Sequence, residues 1–125
     1  MLCVQAILLH ASDLTVVGKH SSKLARFLSL PVRTVPLQEA DTIESKSYDV
    51  VVDCTGSASG MPLALRLVRP RGTVVMKTTI AAEHQLSLAP IVIDEITVVG
   101  SRCGPFAEAI EALKANQVDV SQLTG

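Results

Sequence analysis

The sequence predicts an α/β domain: a mostly parallel sheet, doubly wound, with helices on its faces. Three observations carry this reading. Short apolar runs rich in Val and Ile recur at Leu14–Gly18, Asp49–Cys54, Thr73–Lys77 and Ile96–Gly100. They lack in/out alternation, which suits strands buried on both faces of a parallel sheet. Each is followed by a Gly, Thr or Ser turn and a helix-like stretch, and right-handed crossovers then set successive helices on the sheet. Such sheets bind ligands just beyond the carboxyl ends of their strands, so these turns are where function is expected.

Element by element, Leu2 to Ala11 reads as a very apolar helix buried against the sheet, leading through Ser12-Asp13 into a strand at 14–18. Ser21 and Ser22 offer N-capping hydroxyls to a helix whose Leu24, Phe27 and Leu28 share one face, stopping before Pro31. Val32 to Val35, bracketed by Pro31 and Pro36, is an edge-strand candidate. The polar stretch Gln38 to Ser47 reads as a solvent-facing connection with one weak helical turn. A strand at 50–54 precedes a helix from about Pro62, with Leu63, Ala64, Leu67 and Val68 toward the sheet. Arg69-Pro70-Arg71-Gly72 turns the chain into a strand at 73–77. Leu86 to Asp94 reads as a connector interrupted by Pro90, before a strand at 96–100. Gly104-Pro105 opens a last helix with Phe106, Ala109, Ile110 and Leu113 as its apolar face.

Composition narrows the function classes. A length of 125 residues fits one domain, 1–125, with a genuine core. A formal net charge of -1 with interspersed signs gives no field favouring nucleic acid or an anionic membrane. Only Phe27, Tyr48 and Phe106 are aromatic, so there is no platform for stacking bases. Cys3, Cys54 and Cys103 form no zinc-ligand spacing and read as reduced thiols of a cytoplasmic protein. The apolar start lacks the basic leader of a signal peptide and is too short to span a bilayer.

Four blocks in one order carry a more specific likeness: Thr15 to Ala25, Asp49 to Ser57, Leu63 to Val75, and Ile96 to Arg102. Together they resemble the nucleotide-binding, Rossmann-like half of the zinc-type medium-chain alcohol dehydrogenase superfamily, over Leu2 to about Leu123. In that family the second strand usually ends on an acid that holds the adenosine ribose of NAD, and here that place is Gly18. Without the carboxylate, and with Lys19 and His20 able to neutralise a 2'-phosphate, the resemblance implies NADP rather than NAD, and Gly18→Asp is expected to reverse the preference. On the residues alone Gly18 also suits a tight turn and Lys19 a solvated charge. Lys23 matches a family lysine near the adenosine ribose. Cys54, Thr55 and Gly56 match the loop beneath the bound dinucleotide, where small residues let the backbone come close. Lys77-Thr78 and Ser101-Arg102-Cys103 match two strand ends whose backbone groups hold the nicotinamide carboxamide. Arg102 beside Cys103 also admits an activated thiol, against a plain half-buried cysteine.

Two departures matter. The seven glycines, at 18, 56, 60, 72, 100, 104 and 125, contain no G-x-G-x-x-G. The opening strand that normally carries this fingerprint and lies at the centre of the sheet is not in the sequence, so strands 14–18 and 50–54 are expected either to pair directly or to accept a strand or surface from a second chain in a homodimer. No catalytic residue and no metal ligand is assigned, since the zinc of these enzymes is held by a catalytic domain that has no counterpart here. The reading is a cofactor domain, as a fragment or one half of a split enzyme with a complementing catalytic domain as partner; a non-catalytic module for assembly or nucleotide sensing is the alternative. The purified chain is expected to turn over no alcohol with NADP and to hold no stoichiometric zinc in equilibrium dialysis.

Overall fold

The computed structural model describes residues 2–9, 13–77, 85–102 and 106–117. The chain divides into two compact units, residues 1–42 with 104–125, and residues 43–103. In order along the chain run α1 (Leu2–Leu8), β1 (Thr15–Gly18), α2 (Ser21–Leu24), β2 (Arg33–Pro36), β3 (Tyr48–Asp53), α3 (Gly60–Leu67), β4 (Val68–Met76), α4 (Ala89–Ile93), β5 (Thr97–Gly100) and α5 (Phe106–Lys114). All strand pairs are parallel, as the Val/Ile runs predict: β1 with β2, β3 with β4, and β4 with β5. They form two sheets, β1-β2 and β3-β4-β5. β1 and β3 therefore do not pair, which corrects the expectation of direct closure.

In the first unit, β1 pairs with β2 from Thr15 opposite Arg33 to Gly18 opposite Pro36. Ser21 and Ser22 are the first residues of α2; its N-cap is His20, which makes no side-chain capping bond, so the expected hydroxyl caps are not made. After one turn the chain tightens to a 3-10 turn over Ala25–Phe27. The repeat shortens from 3.6 to about 3 residues there. Leu24 and Phe27 consequently stay buried while Leu28 is turned out, 80% exposed. The solvent-facing connection with its one weak helical turn is found as expected: a second 3-10 turn, Leu37–Thr42, is exposed but for the buried Ala40. α1 is shorter than predicted and only partly buried, its best-covered position being Gln5. Ala109, Ile110 and Leu113 of α5 are exposed, against the apolar face expected of them; Phe106's side chain and Gly104-Pro105 lie outside what is described.

The second unit is a three-stranded sheet with β4 in the middle. Registers of Val51 with Val74 and Val74 with Val98 put these residues on one face, together with Asp53 and Met76. That face meets Met61, Ala64 and Leu65 of α3, with Val68, Val74 and Ile96 completing the core and Ile91 of α4 packed against it. Met61 and Leu65 were not in the predicted stripe, whose Leu63 is half-buried. The opposite face carries Val50, Val52, Val75 and Val99 and is less covered, Val50 being 55% exposed. The expectation of strands buried on both faces is not met here: β4 buries Val68 and Val74 but leaves Val75, on the opposite face from Val74, half-buried, and β5 is exposed along its length.

Backbone links seat α3 on the sheet. The amides of Lys46 and Ser47 donate to the carbonyls of Arg66 and Leu67 at 2.9 and 3.0 Å, satisfying acceptors a helix end leaves open. The Arg66 guanidinium reaches the Ile43 carbonyl and Ser45 Oγ, each at 3.0 Å. Arg69 to Gly72, predicted as a turn, instead belong to β4, as an irregularity where the register jumps between Tyr48–Val68 and Val50–Thr73. Arg71 adopts φ 63 there, and Gly72 packs so tightly that a Cβ would meet the Asp49 carbonyl at 2.8 Å and that of Arg69 at 2.9 Å. The 86–94 connector holds the short helix α4, in whose first turn Pro90 is well tolerated.

One-sided cover has a measurable consequence. Val74→Ala is expected to cost about 2 kcal/mol in urea unfolding, the loss from truncating a buried aliphatic side chain, whereas Val99→Ala should cost under about 0.5 kcal/mol. Equal losses would show that the Val99 face is covered in solution.

Candidate functional site at the carboxyl ends of the strands

Because β3, β4 and β5 run parallel, their carboxyl ends fall on one edge. Backbone bonds continue across that edge: the Lys77 amide donates to the Asp53 carbonyl at 2.9 Å and the Ser101 amide to the Met76 carbonyl at 2.9 Å. Lys77 Nζ lies 3.2 Å from Ser101 Oγ. Predicted residues from three segments, Cys54-Thr55-Gly56, Lys77 and Ser101-Arg102, are thus brought to one edge, and all are exposed. Gly56 has φ 66 with open space around its Cβ position, so glycine is favoured there by the backbone conformation, not by crowding. Thr78 and Cys103 lie outside the described residues. Cys54 is in no disulfide.

Beneath this loop is a residue that the sequence reading did not select. Asp53 ends β3 and is only 3% exposed. Its Oδ1 accepts the Thr55 amide at 3.0 Å and the Thr55 hydroxyl at 2.8 Å. Thr55 Oγ1 in turn accepts the Ser57 amide at 3.1 Å, and the Ser57 and Ser59 hydroxyls are 2.9 Å apart. Asp-x-Thr-Gly after an apolar run is a legible signal for such a turn, since Asp side chains bond the backbone two residues on.

In the first unit β1 ends on Gly18, with Lys19, His20 and Lys23 exposed around the start of α2. Between Asp13 and Glu39 no acid occurs, while Lys19, Lys23, Arg26 and Arg33 do, so the end of β1 lies in a stretch of sequence whose formal charges are all basic. Gly18 also has a packing role: a Cβ would meet Leu24 Cδ2 at 2.7 Å and Cγ at 2.9 Å, and Leu24 is buried. Gly18→Asp would therefore disturb the α2 packing as well as any ribose site.

Elsewhere, a cavity of about 540 Å³ is lined by Leu65, Leu86, Pro90 and Ile93 with the Lys46–Asp94 ion pair of 3.3 Å; it holds none of the predicted residues. Among the described residues no group of three or more His, Cys, Asp or Glu could hold a metal ion. No described helix is long and apolar enough to cross a membrane.

The crowding at Gly18 is testable. Gly18→Ala is expected to cost about 1–3 kcal/mol, the usual range for overpacking, and combined with Leu24→Ala to cost less than the sum of the two single changes. Wild-type stability in Gly18→Ala would overturn the packing role.

Comparison with known proteins follows the geometry. No curated protein matches the sequence. Among solved structures, a protein described as a zinc-binding dehydrogenase from Sinorhizobium meliloti, bound to NADP, is 22% identical with a TM-score of 0.79, over 95% of this chain and 39% of that one. The 2R,3R-butanediol dehydrogenase of Bacillus subtilis is 18% identical with a TM-score of 0.82, over 96% of this chain and 38% of its own. L-idonate 5-dehydrogenase of Escherichia coli is 22% identical with a TM-score of 0.83, over 94% and 36%. These likenesses establish the Rossmann-like fold, and the chain spans well under half the length of each. The zinc-binding dehydrogenase family profile matches residues 7–117, nearly the whole chain, and the protein belongs to that family.

Proposed function

We propose that residues 1–125 are a single dinucleotide-binding domain of a zinc-type medium-chain alcohol dehydrogenase-like oxidoreductase, taking NADP in preference to NAD. The observation that supports this most is the edge where Thr55-Gly56, Lys77 and Ser101 meet at the ends of three parallel strands, in a chain of this family. Small, exposed residues there let a flat polar ligand come close to the main chain.

The residues fit such a cofactor. Gly56 keeps the loop open above Thr55 because no side chain occupies its Cβ position. Lys77 places an ammonium beside Ser101 Oγ, so this edge offers donors to a carboxamide or ribose oxygen. Lys19, with Lys23 a turn later, supplies positive charge and His20 an imidazole donor suited to a 2'-phosphate, and no acid nearby in sequence opposes them. When bound, the nicotinamide exchanges a hydride with an alcohol or carbonyl carbon; this chain's own part is to bind and orient it. Substrate and zinc belong to a catalytic domain, supplied as a complementing partner, and a homodimer is the other partner proposed for the free strand edges. A cytoplasmic location accords with its thiols.

Calorimetric titration with NADPH and NADH tests the reading. NADPH is expected to bind more tightly, and Lys19→Ala and His20→Ala are each expected to weaken NADPH about tenfold, roughly the 1.4 kcal/mol of a charge-assisted contact, leaving NADH unchanged. Equal affinities would remove the NADP preference, and binding of neither nucleotide would remove the function.

A further inference from the structure

We infer that Asp53 is the positioning residue of the cofactor loop, a part that falls outside the Cys54-Thr55-Gly56 set; this rests on the dinucleotide reading above. A carboxylate 3% exposed at the end of a strand needs bonded partners, because burying a charge without them is costly. Here the partners are the loop itself. One oxygen, Oδ1, accepts both the amide and the hydroxyl of Thr55, fixing that residue at its backbone and at its side chain together. With its proton directed to Asp53 at 2.8 Å rather than to the more distant Ser57 carbonyl at 3.3 Å, Thr55 Oγ1 presents a lone pair to the Ser57 amide, which carries the constraint past the left-handed Gly56. The order Asp53, Thr55, Ser57 is one hydrogen-bonded relay, anchored at its buried end by the Lys77 amide on the Asp53 carbonyl.

Gly60 shows that space has been kept for this clasp. A Cβ on Gly60 would overlap Thr55 Oγ1 and both carboxylate oxygens of Asp53. Gly60 is the first residue of α3 and is itself buried, a place where helix propensity alone prefers alanine. Propensity and clasp thus predict opposite signs for Gly60→Ala. An alanine there pushes on Thr55 and Asp53 from the helix side without removing any bonding atom, and so perturbs the same relay independently of a change at Asp53.

The experiment compares the wild-type chain with Asp53→Ala, Thr55→Val, Thr55→Ser and Gly60→Ala, reading NADPH affinity by calorimetry, stability in urea, and amide hydrogen exchange at Thr55, Gly56 and Ser57. Asp53→Ala, Thr55→Val and Gly60→Ala are expected to weaken NADPH at least fivefold and to speed exchange at those three amides tenfold or more, with exchange in β4 unchanged. Thr55→Ser, which keeps the hydroxyl, should behave as wild type. If Asp53→Ala does not fold, Thr55→Val and Gly60→Ala decide alone. Wild-type affinity and exchange in those variants would overturn the inference, as would a Gly60→Ala chain that is more stable and binds equally well. Failure of the wild-type chain to bind either nucleotide would sink the proposed function and with it the role of Asp53 in cofactor binding, while selective exchange at Thr55–Ser57 would still report the clasp.

Discussion

The parallel hydrogen-bond ladder through β4 is the constraint on which the second unit depends. β4 is bonded on both sides, Val74 facing Val51 on one neighbour and Val98 on the other. Parallel pairing forces crossovers long enough to hold a helix, so α3 lies between β3 and β4 in sequence and α4 between β4 and β5. It also forces all three strands to finish on one edge. Thr55, Lys77 and Ser101, distant in sequence, become neighbours for that reason alone, and the amide bonds Lys77 to Asp53 and Ser101 to Met76 extend the ladder into the site. A main-chain scaffold of this kind holds its geometry through substitutions of surface side chains.

Close approaches explain the glycines better than the family fingerprint does. Gly72 is required by carbonyls of Asp49 and Arg69, Gly60 by Asp53 and Thr55, and Gly18 by the buried Leu24. Each marks a point where a helix or a returning strand comes within van der Waals reach of backbone or a fixed side chain. Gly56 differs, being free of crowding and favoured by φ 66. Gly18 therefore serves packing, and Lys19 and His20 are the cleaner positions at which to test the proposed cofactor preference.

Ion pairs add little to this framework. Arg69 Nε to Asp49 Oδ1 is 2.7 Å, but both side chains are well exposed, and pairs of this kind contribute about 0–1 kcal/mol. Stability in the second unit rests instead on the apolar contact of α3 with one sheet face, on the capping of α3 by Lys46 and Ser47, and on the ladder itself. Apolar side chains are exposed on the other face, and on α4, where Val92 and Ile93 are each 76% exposed.

The sequence by itself determined the strands and their parallel sense. Val and Ile runs are β-prone, and alternation with helical stretches leaves right-handed crossovers as the economical connection, so β1, β2, β3 and β5 were legible to within about two residues, and β4 from Thr73 on, its start at Val68 to Gly72 reading as helix end and turn. Because sheet edges of this kind collect the turns after their strands, Thr55, Gly56, Lys77 and Ser101 were legible too. Tertiary structure decided what depends on non-local neighbours. Whether a Val run is covered on one face or two depends on which helix reaches it, and in the second unit α3 covers one face at Val74 while Val50 and Val99 on the other stay exposed. Leu28 was lost from its predicted face because one turn tightened, a change of a few tens of degrees that composition does not encode. Asp53 was legible as the acid of an Asp-x-Thr-Gly turn but its burial was not, because an acid at a strand end is ordinarily solvated; that burial comes with α3 packed above it, where Gly60 has no side chain to collide with it.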